Sequence, residues 1–205
     1  MRLRHLCAAG VALCVTATVT AAPRGARDPD WPCEQIKVPA LSLAAVWTGP
    51  ALGEQQSNWQ QNQPVADLVR ETAQRRLRLE QAQDRIRMFA ADAGQERQAR
   101  LLQLMAGLFS VLDGERASVI AGLDRFGARQ KELAAQLRAD NEKLRALQND
   151  PKSDAGELNQ MMQRVTWEAQ VFEDRRQSLR YACEVPGKIE QRLFSLARTI
   201  QSQLP

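Results

Sequence analysis

Asn149-Asp150-Pro151-Lys152-Ser153 interrupts a chain that is otherwise helical in pattern for most of its length, and its flanks set the architecture. A proline preceded by two short polar residues favours a turn over a continued helix. Asp154 with Glu157 three residues later is a capping-box-like start for the next element. On the N-terminal side, Leu101, Met105, Leu108, Leu112, Val119, Leu123, Phe126, Leu133, Leu137, Leu144 and Leu147 recur in steps that fit one helix face. On the C-terminal side, Leu158, Met162, Val165, Ala169, Phe172, Leu179 and Cys183 do the same. A short turn between two helices makes them antiparallel neighbours. The pattern therefore predicts a helix over 95–149 that returns over 154–184, each on the order of 75 Å long or less at about 1.5 Å per residue.

Working outward, Val65, Leu68, Thr72, Leu79, Ala82, Ile86 and Phe89 give a similar stripe, with Arg75 its one charged member. Pro64 suits a first turn, Asp67 and Glu71 lie near that end, and Gly94 is a stop, so a single helix is expected over 64–93. Val185-Pro186-Gly187 reads as a break, since proline costs a helix interior a hydrogen bond and a clash. Ile189, Leu193, Leu196, Ile200 and Leu204 then continue over 188–204. No sustained alternation of β-branched and polar residues follows Pro50. The expected fold class is all-α: an antiparallel helical bundle or coiled-coil hairpin of three main helices, the last broken at Pro186-Gly187.

Residues 23–63 differ from the rest. Prolines at 23, 29, 32, 39 and 50 and three of the four tryptophans, Trp31, Trp47 and Trp59, fall here. The expectation is an extended strap with one helical turn near Leu41–Trp47 and a loop over the polar stretch Gln55–Gln63. Its tryptophans dock it, because burying aromatic area is how an irregular segment is held. Ahead of it, Arg2, Arg4 and His5, the apolar run Leu6–Val19 and small residues to Ala22 have the layout of a secretory signal peptide. The run is shorter than the roughly 20 residues a membrane span needs. A periplasmic or secreted location is expected after cleavage, with no stable membrane insertion.

Pairing Asn149 with Asp154 places Cys183 level with Ile120, and Pro186 level with Ala117, close to Asp113-Gly114. If 64–93 is one helix, its start also falls near that level. A two-part molecule is expected: a three-helix body, and a two-helix arm from about Gly122 to Tyr181, stapled at the junction by Cys33 and Cys183. A full break at Gly114, giving a compact bundle, is the alternative.

Chemistry is poorly served. Once residues 1–22 are removed no histidine remains, and the cysteines left are Cys33 and Cys183. Two cysteines in an exported chain pair. Trp31-Pro32-Cys33 has no second cysteine nearby to resolve a mixed disulfide, so a structural bond is expected over a redox site. Four zinc ligands cannot be assembled, and the methionines are spread through helical stripes as packing residues. A serine nucleophile lacks a base. Glu168 with Glu173, or Glu71 with Glu80, are read as solvated carboxylates on charged faces rather than a facing pair. No catalytic residue, metal or cofactor is expected. The net charge of +4 loses two arginines with 1–22, and mixed signs along each helix argue against nucleic acid.

What remains is contact. Two helices alone do not cover a seam containing Leu133, Leu137, Leu144, Leu147, Met161, Val165, Trp167 and Phe172. Those residues, with Trp31, Trp47 and Trp59, are the candidate partner-binding set. The occupant is the strap, another copy in a homo-oligomer, or a protein partner. The expected function is a scaffold or adaptor working through coiled-coil contacts; a periplasmic holdase-type chaperone for exported clients is the alternative.

Overall fold

The computed structural model describes residues 28–205, and the expected signal segment 1–22 lies outside them. The elements in order are α1 (Leu43–Val46), α2 (Gln55–Asn58), a 3-10 turn (Trp59–Gln61), α3 (Gln63–Ala73), α4 (Leu79–Asp92), a second 3-10 turn (Gly94–Glu96), α5 (Arg97–Asn149) and α6 (Ala155–Ser202), with no strand among the described residues. The protein is all-α.

α5 and α6 run antiparallel from the turn at 150–154, where the Asp154 side chain accepts from the Glu157 N–H at 2.9 Å and caps α6. Their pairing is marked by Arg164 on Asp140 (3.1 Å), Gln130 on the Phe172 carbonyl (3.0 Å) and Arg116 on Glu190. α5 does not break at Gly114. Nothing approaches that glycine, so it costs the helix only its propensity, about 1 kcal/mol.

Two expectations are corrected. α6 runs through Pro186 without interruption, so the break at Val185-Pro186-Gly187 does not occur. Pro186 is buried and shares a cavity wall with Ile120, Val38 and Arg116. Packing on α5 above and below that point outweighs the helix cost of proline, roughly 3 kcal/mol. The single helix over 64–93 is instead a helical hairpin, α3 and α4, with a turn over 74–78. The stripe demands an apolar side chain at Arg75, and the run Arg75-Arg76 cannot supply one. Arg75 turns outward to Glu115 at 2.9 Å, and Gln74 leaves the helix in an extended conformation.

The body is therefore built from four helical segments rather than three. α3 rises beside α5, from Asn62 on Gln103 (2.9 Å) to Arg75 on Glu115. α4 descends along the C-terminal part of α6, and Gly94, at φ +54°, turns the chain into α5. The core holds Val65, Val69, Ile86, Leu101, Leu104, Leu108, Leu112, Ile189, Leu193, Leu196 and Ile200. Arg192 crosses it to donate from Nε and Nη2 to the Thr72 carbonyl at 3.0 and 2.7 Å, capping the end of α3. Burial holds its guanidinium pKa below the ordinary arginine value.

The strap lies on this frame. Trp47 and Trp59 are buried in the body core. Trp59 seats against Gly107, where a side-chain carbon would come within 2.9 Å of the indole. The docking of Trp59 draws the Gln/Asn stretch, expected as a loop, into α2 and the following 3-10 turn.

Candidate functional site

The junction of body and arm is held by covalent and ionic contacts. Cys33 and Cys183 form a disulfide, with Cα atoms 5.7 Å apart. Around it, the Trp31 indole donates to the Gln35 carbonyl at 2.6 Å, and Lys37 bridges Asp28 (2.6 Å) and Asp124 (2.8 Å). These carboxylates hold the Lys37 ammonium above its ordinary pKa, Asp124 first, and Lys37 holds Asp28 below its own. Deeper in, Arg116 is only 3% exposed and donates to Glu190 at 2.5 Å and to the Val38 carbonyl at 2.7 Å. Gly127 lies directly under the Asp30 carbonyl, a close approach that any side chain would block. Beside the disulfide, Glu34, Gln35, Arg176, Gln177 and Arg180 wall a groove of about 440 Å³.

Beyond the junction the arm has a thin interior. Leu133, Leu137, Leu144, Leu147, Met161, Val165 and Phe172 face one another across α5 and α6 and are half-buried. Between residues 128 and 180 the fully buried side chains are two acids, Asp140 and Glu168, at 0% and 6% exposure. Asp140 occupies the seam position between Leu137 and Leu144, and Glu168 the one between Val165 and Phe172. Arg164 Nε joins them, at 3.1 Å from Asp140 and 3.0 Å from Glu168, and Gln136 donates to Asp140 at 2.8 Å. That amide, with the Arg164 and Lys143 charges, holds the Asp140 carboxyl below its ordinary 3.8. Asp140 Oδ1 and Glu168 Oε2 accept no hydrogen bond from the described residues. Glu168 is thus no solvated surface acid, because the seam periodicity carries it inward. The layer fixes register, since a charged pair buried between helices tolerates no slippage. No group of three or more His, Cys, Asp or Glu placed to hold a metal occurs among the described residues.

Trp167 does not join the seam. It lies on the opposite side of α6 and is 67% exposed, as Tyr181 is at 74%. Trp31 sits half-buried at the junction. Of the sequence-derived partner set, the structure brings the leucines, Met161, Val165 and Phe172 into one arm seam and takes Trp47 and Trp59 away into the body. Asp140, Glu168 and Tyr181 are missing from that set. The signal for Asp140 is the step of seven from Leu137 to Leu144, which leaves an inward position to be filled by a charged residue. No helix among the described residues is long and apolar enough to cross a membrane.

Comparison with known proteins finds no matching family model, no matching curated protein and no matching solved structure.

Proposed function

We propose that the protein is an exported scaffold or adaptor of the periplasm or the extracellular space, acting by coiled-coil-type helix contact with another protein surface and without catalysis. The observation that carries this reading is the pair of exposed aromatics, Trp167 and Tyr181, on an arm that has no fully buried apolar side chain between residues 128 and 180. Large aromatic side chains in water are unfavourable for an isolated chain and favourable at an interface. The Cys33–Cys183 bond supports an oxidising compartment. The functional residues are then Trp167 and Tyr181, held in place by the Asp140–Arg164–Glu168 layer and by the staple.

The test is a photo-crosslinking residue placed at Trp167, with a control at the exposed Glu80 on the body, in cells making the protein at native level. A discrete adduct at Trp167 and none at Glu80 is expected. Absence of any adduct from Trp167 or Tyr181 removes the proposal. The chaperone reading draws on other exposed apolar side chains, Ile36, Met88 and Met162. They are dispersed over strap, body and arm instead of lining one cradle, which places this reading second. Suppressed aggregation of several unrelated unfolded proteins reverses that order.

A further inference from the structure

The outward face of α6 carries a second helical stripe, distinct from the seam against α5. Gln160, Trp167, Asp174, Tyr181 and Lys188 follow one another at intervals of seven, and all are exposed. Seven residues are nearly two helical turns, so these side chains line one face. In the body the continuation of this same face is covered. Arg192 and Leu196 extend the stripe, and there α4 and the end of α3 lie over them, with Arg192 bound to Thr72. The α3–α4 turn ends the cover at Lys188: Arg75, Leu79, Lys188, Gln191 and Arg192 surround one cavity there. The arm thus presents a helix face that is covered in the body and bare from Lys188 to the tip.

We infer that this face is occupied by the arm of a second copy of the same chain, antiparallel about a two-fold axis. The inference rests on the reading that the arm is a contact surface, and it names the occupant. Three features specify the arrangement. The first is length. A helix laid along the stripe can advance only to the α3–α4 turn, so the second copy's tip stops beside Lys188. Residues 154 to 188 span about 51 Å at 1.5 Å per residue, and each bare face is as long as the arm that would cover it.

The second feature is charge. The tip offers Asp150, Asp154 and Glu157 against one cation, Lys152, while the stopping point offers the exposed Arg76 and Arg78 together with Lys188, which pairs with Glu184 of its own chain at 2.7 Å. Both ends of a two-fold pair match, because an isologous interface repeats each contact twice.

The third is register. With Asp154 of the second copy level with Lys188, the two-fold passes near residue 171. Trp167 then lies level with Arg175 of the second copy, one residue from its Asp174, and Tyr181 with Met161 of the second copy, one residue from its Gln160. At one residue's offset, about 1.5 Å along the axis, the indole N–H is within reach of that carboxylate and the phenol O–H of that amide. A standard interface takes about 800 Å² from each partner. Trp167 and Tyr181 supply roughly half of that at 150–250 Å² each, and the aliphatic stems of the intervening glutamines lie along the rest.

The experiment is sedimentation velocity on the oxidised protein between about 1 and 100 μM, with cysteine cross-linking. A dimer is expected. Gln170→Cys lies beside its own copy at the two-fold and should form an intermolecular disulfide under mild oxidation. Gln163→Cys should not, since its two copies are about 24 Å apart along the helices at this register. Trp167→Ala should raise the dimer dissociation constant about tenfold or more while leaving the helical circular dichroism unchanged, because the side chain makes no core contact. A monomer throughout the range overturns the inference, as does a dimer in which Gln163→Cys links as readily as Gln170→Cys. A monomer that still yields a Trp167 adduct with a different protein in cells overturns the inference alone and leaves the scaffold reading standing.

Discussion

Gly127→Ala is a one-methyl change that tests whether the strap and arm are locked together. The added carbon lies far inside the sum of its own and the Asp30 carbonyl oxygen's van der Waals radii, and 3.2 Å from Pro32 Cδ. A backbone oxygen cannot swing aside as a side chain does. Nor can the strap shift freely, because Cys33, three residues on, is bonded to Cys183 and Asp30 is paired with Lys131 at 2.7 Å. α5 is held from behind by α6. Forcing an extra methyl into a filled site costs about 1–3 kcal/mol. The yielding element is the strap end, since Asp30 and Lys131 are exposed and Trp31 is only half-buried. That ceiling puts the expected loss at about 1–2 kcal/mol, or roughly 2–8 °C in Tm for a domain of this size. With the Cys33→Ser and Cys183→Ser pair, the strap lifts without straining a staple, and the same Gly127→Ala change should cost less than about 0.5 kcal/mol. Thermal unfolding of the four proteins closes the double-mutant cycle. An undiminished Gly127→Ala effect without the disulfide, or no effect with it, refutes the claim that staple and close contact act as one unit.

Removing both cysteines should itself destabilise by up to about 5 kcal/mol, the chain-entropy value for a loop of this separation of 150 residues, read from urea midpoints of oxidised and serine-substituted protein. Leu193→Ala deletes a fully buried side chain at the centre of the body and should cost about 2–5 kcal/mol in the same assay. Pro186→Ala should raise Tm, because alanine restores the backbone donor and relieves the clash with the Ala182 carbonyl; a large fall in Tm would mean that the buried ring contributes more packing than the helix loses. The Asp140 carboxyl has a folded pKa below its ordinary 3.8, so its stabilisation is complete above that value and is lost as the pH falls through the folded pKa. Wild type should therefore exceed Asp140→Asn in urea midpoint at pH 7, and the difference should vanish in stronger acid.

Helicity was legible because the apolar steps of three and four persist through α5 and α6. The disulfide was legible because loss of the expected signal segment would leave two cysteines with each other as partners. Asp154 announced the start of α6 through its short acceptor side chain. The rest depended on tertiary context. Proline at 186 is a strong local stop signal, yet packing against Ile120 and the strap overrides it. Arg75 was read as one charged residue in a continuous stripe, when a charge at an inward position marks the place where the chain turns. Asp140 and Glu168 were hidden for the converse reason. They are charged residues that do face inward, and only pairing α5 with α6 brings Arg164 between them. Trp167 shows the limit of composition: an aromatic residue near a seam was assigned to it, although its spacing from Val165 and Phe172 places it on the other side of the helix.

The central claim is that a packed four-segment body carries a two-helix arm held by a polar layer and a staple, with its outward face open for contact. Amide hydrogen exchange on the dilute oxidised protein, resolved by segment, tests this most directly. The account predicts the slowest exchange in α3, in residues 101–112 of α5 and in residues 189–200 of α6, with exchange at least tenfold faster over 128–180. Uniform protection from body to tip would contradict it, since the arm would then share the stability of a core it does not contain.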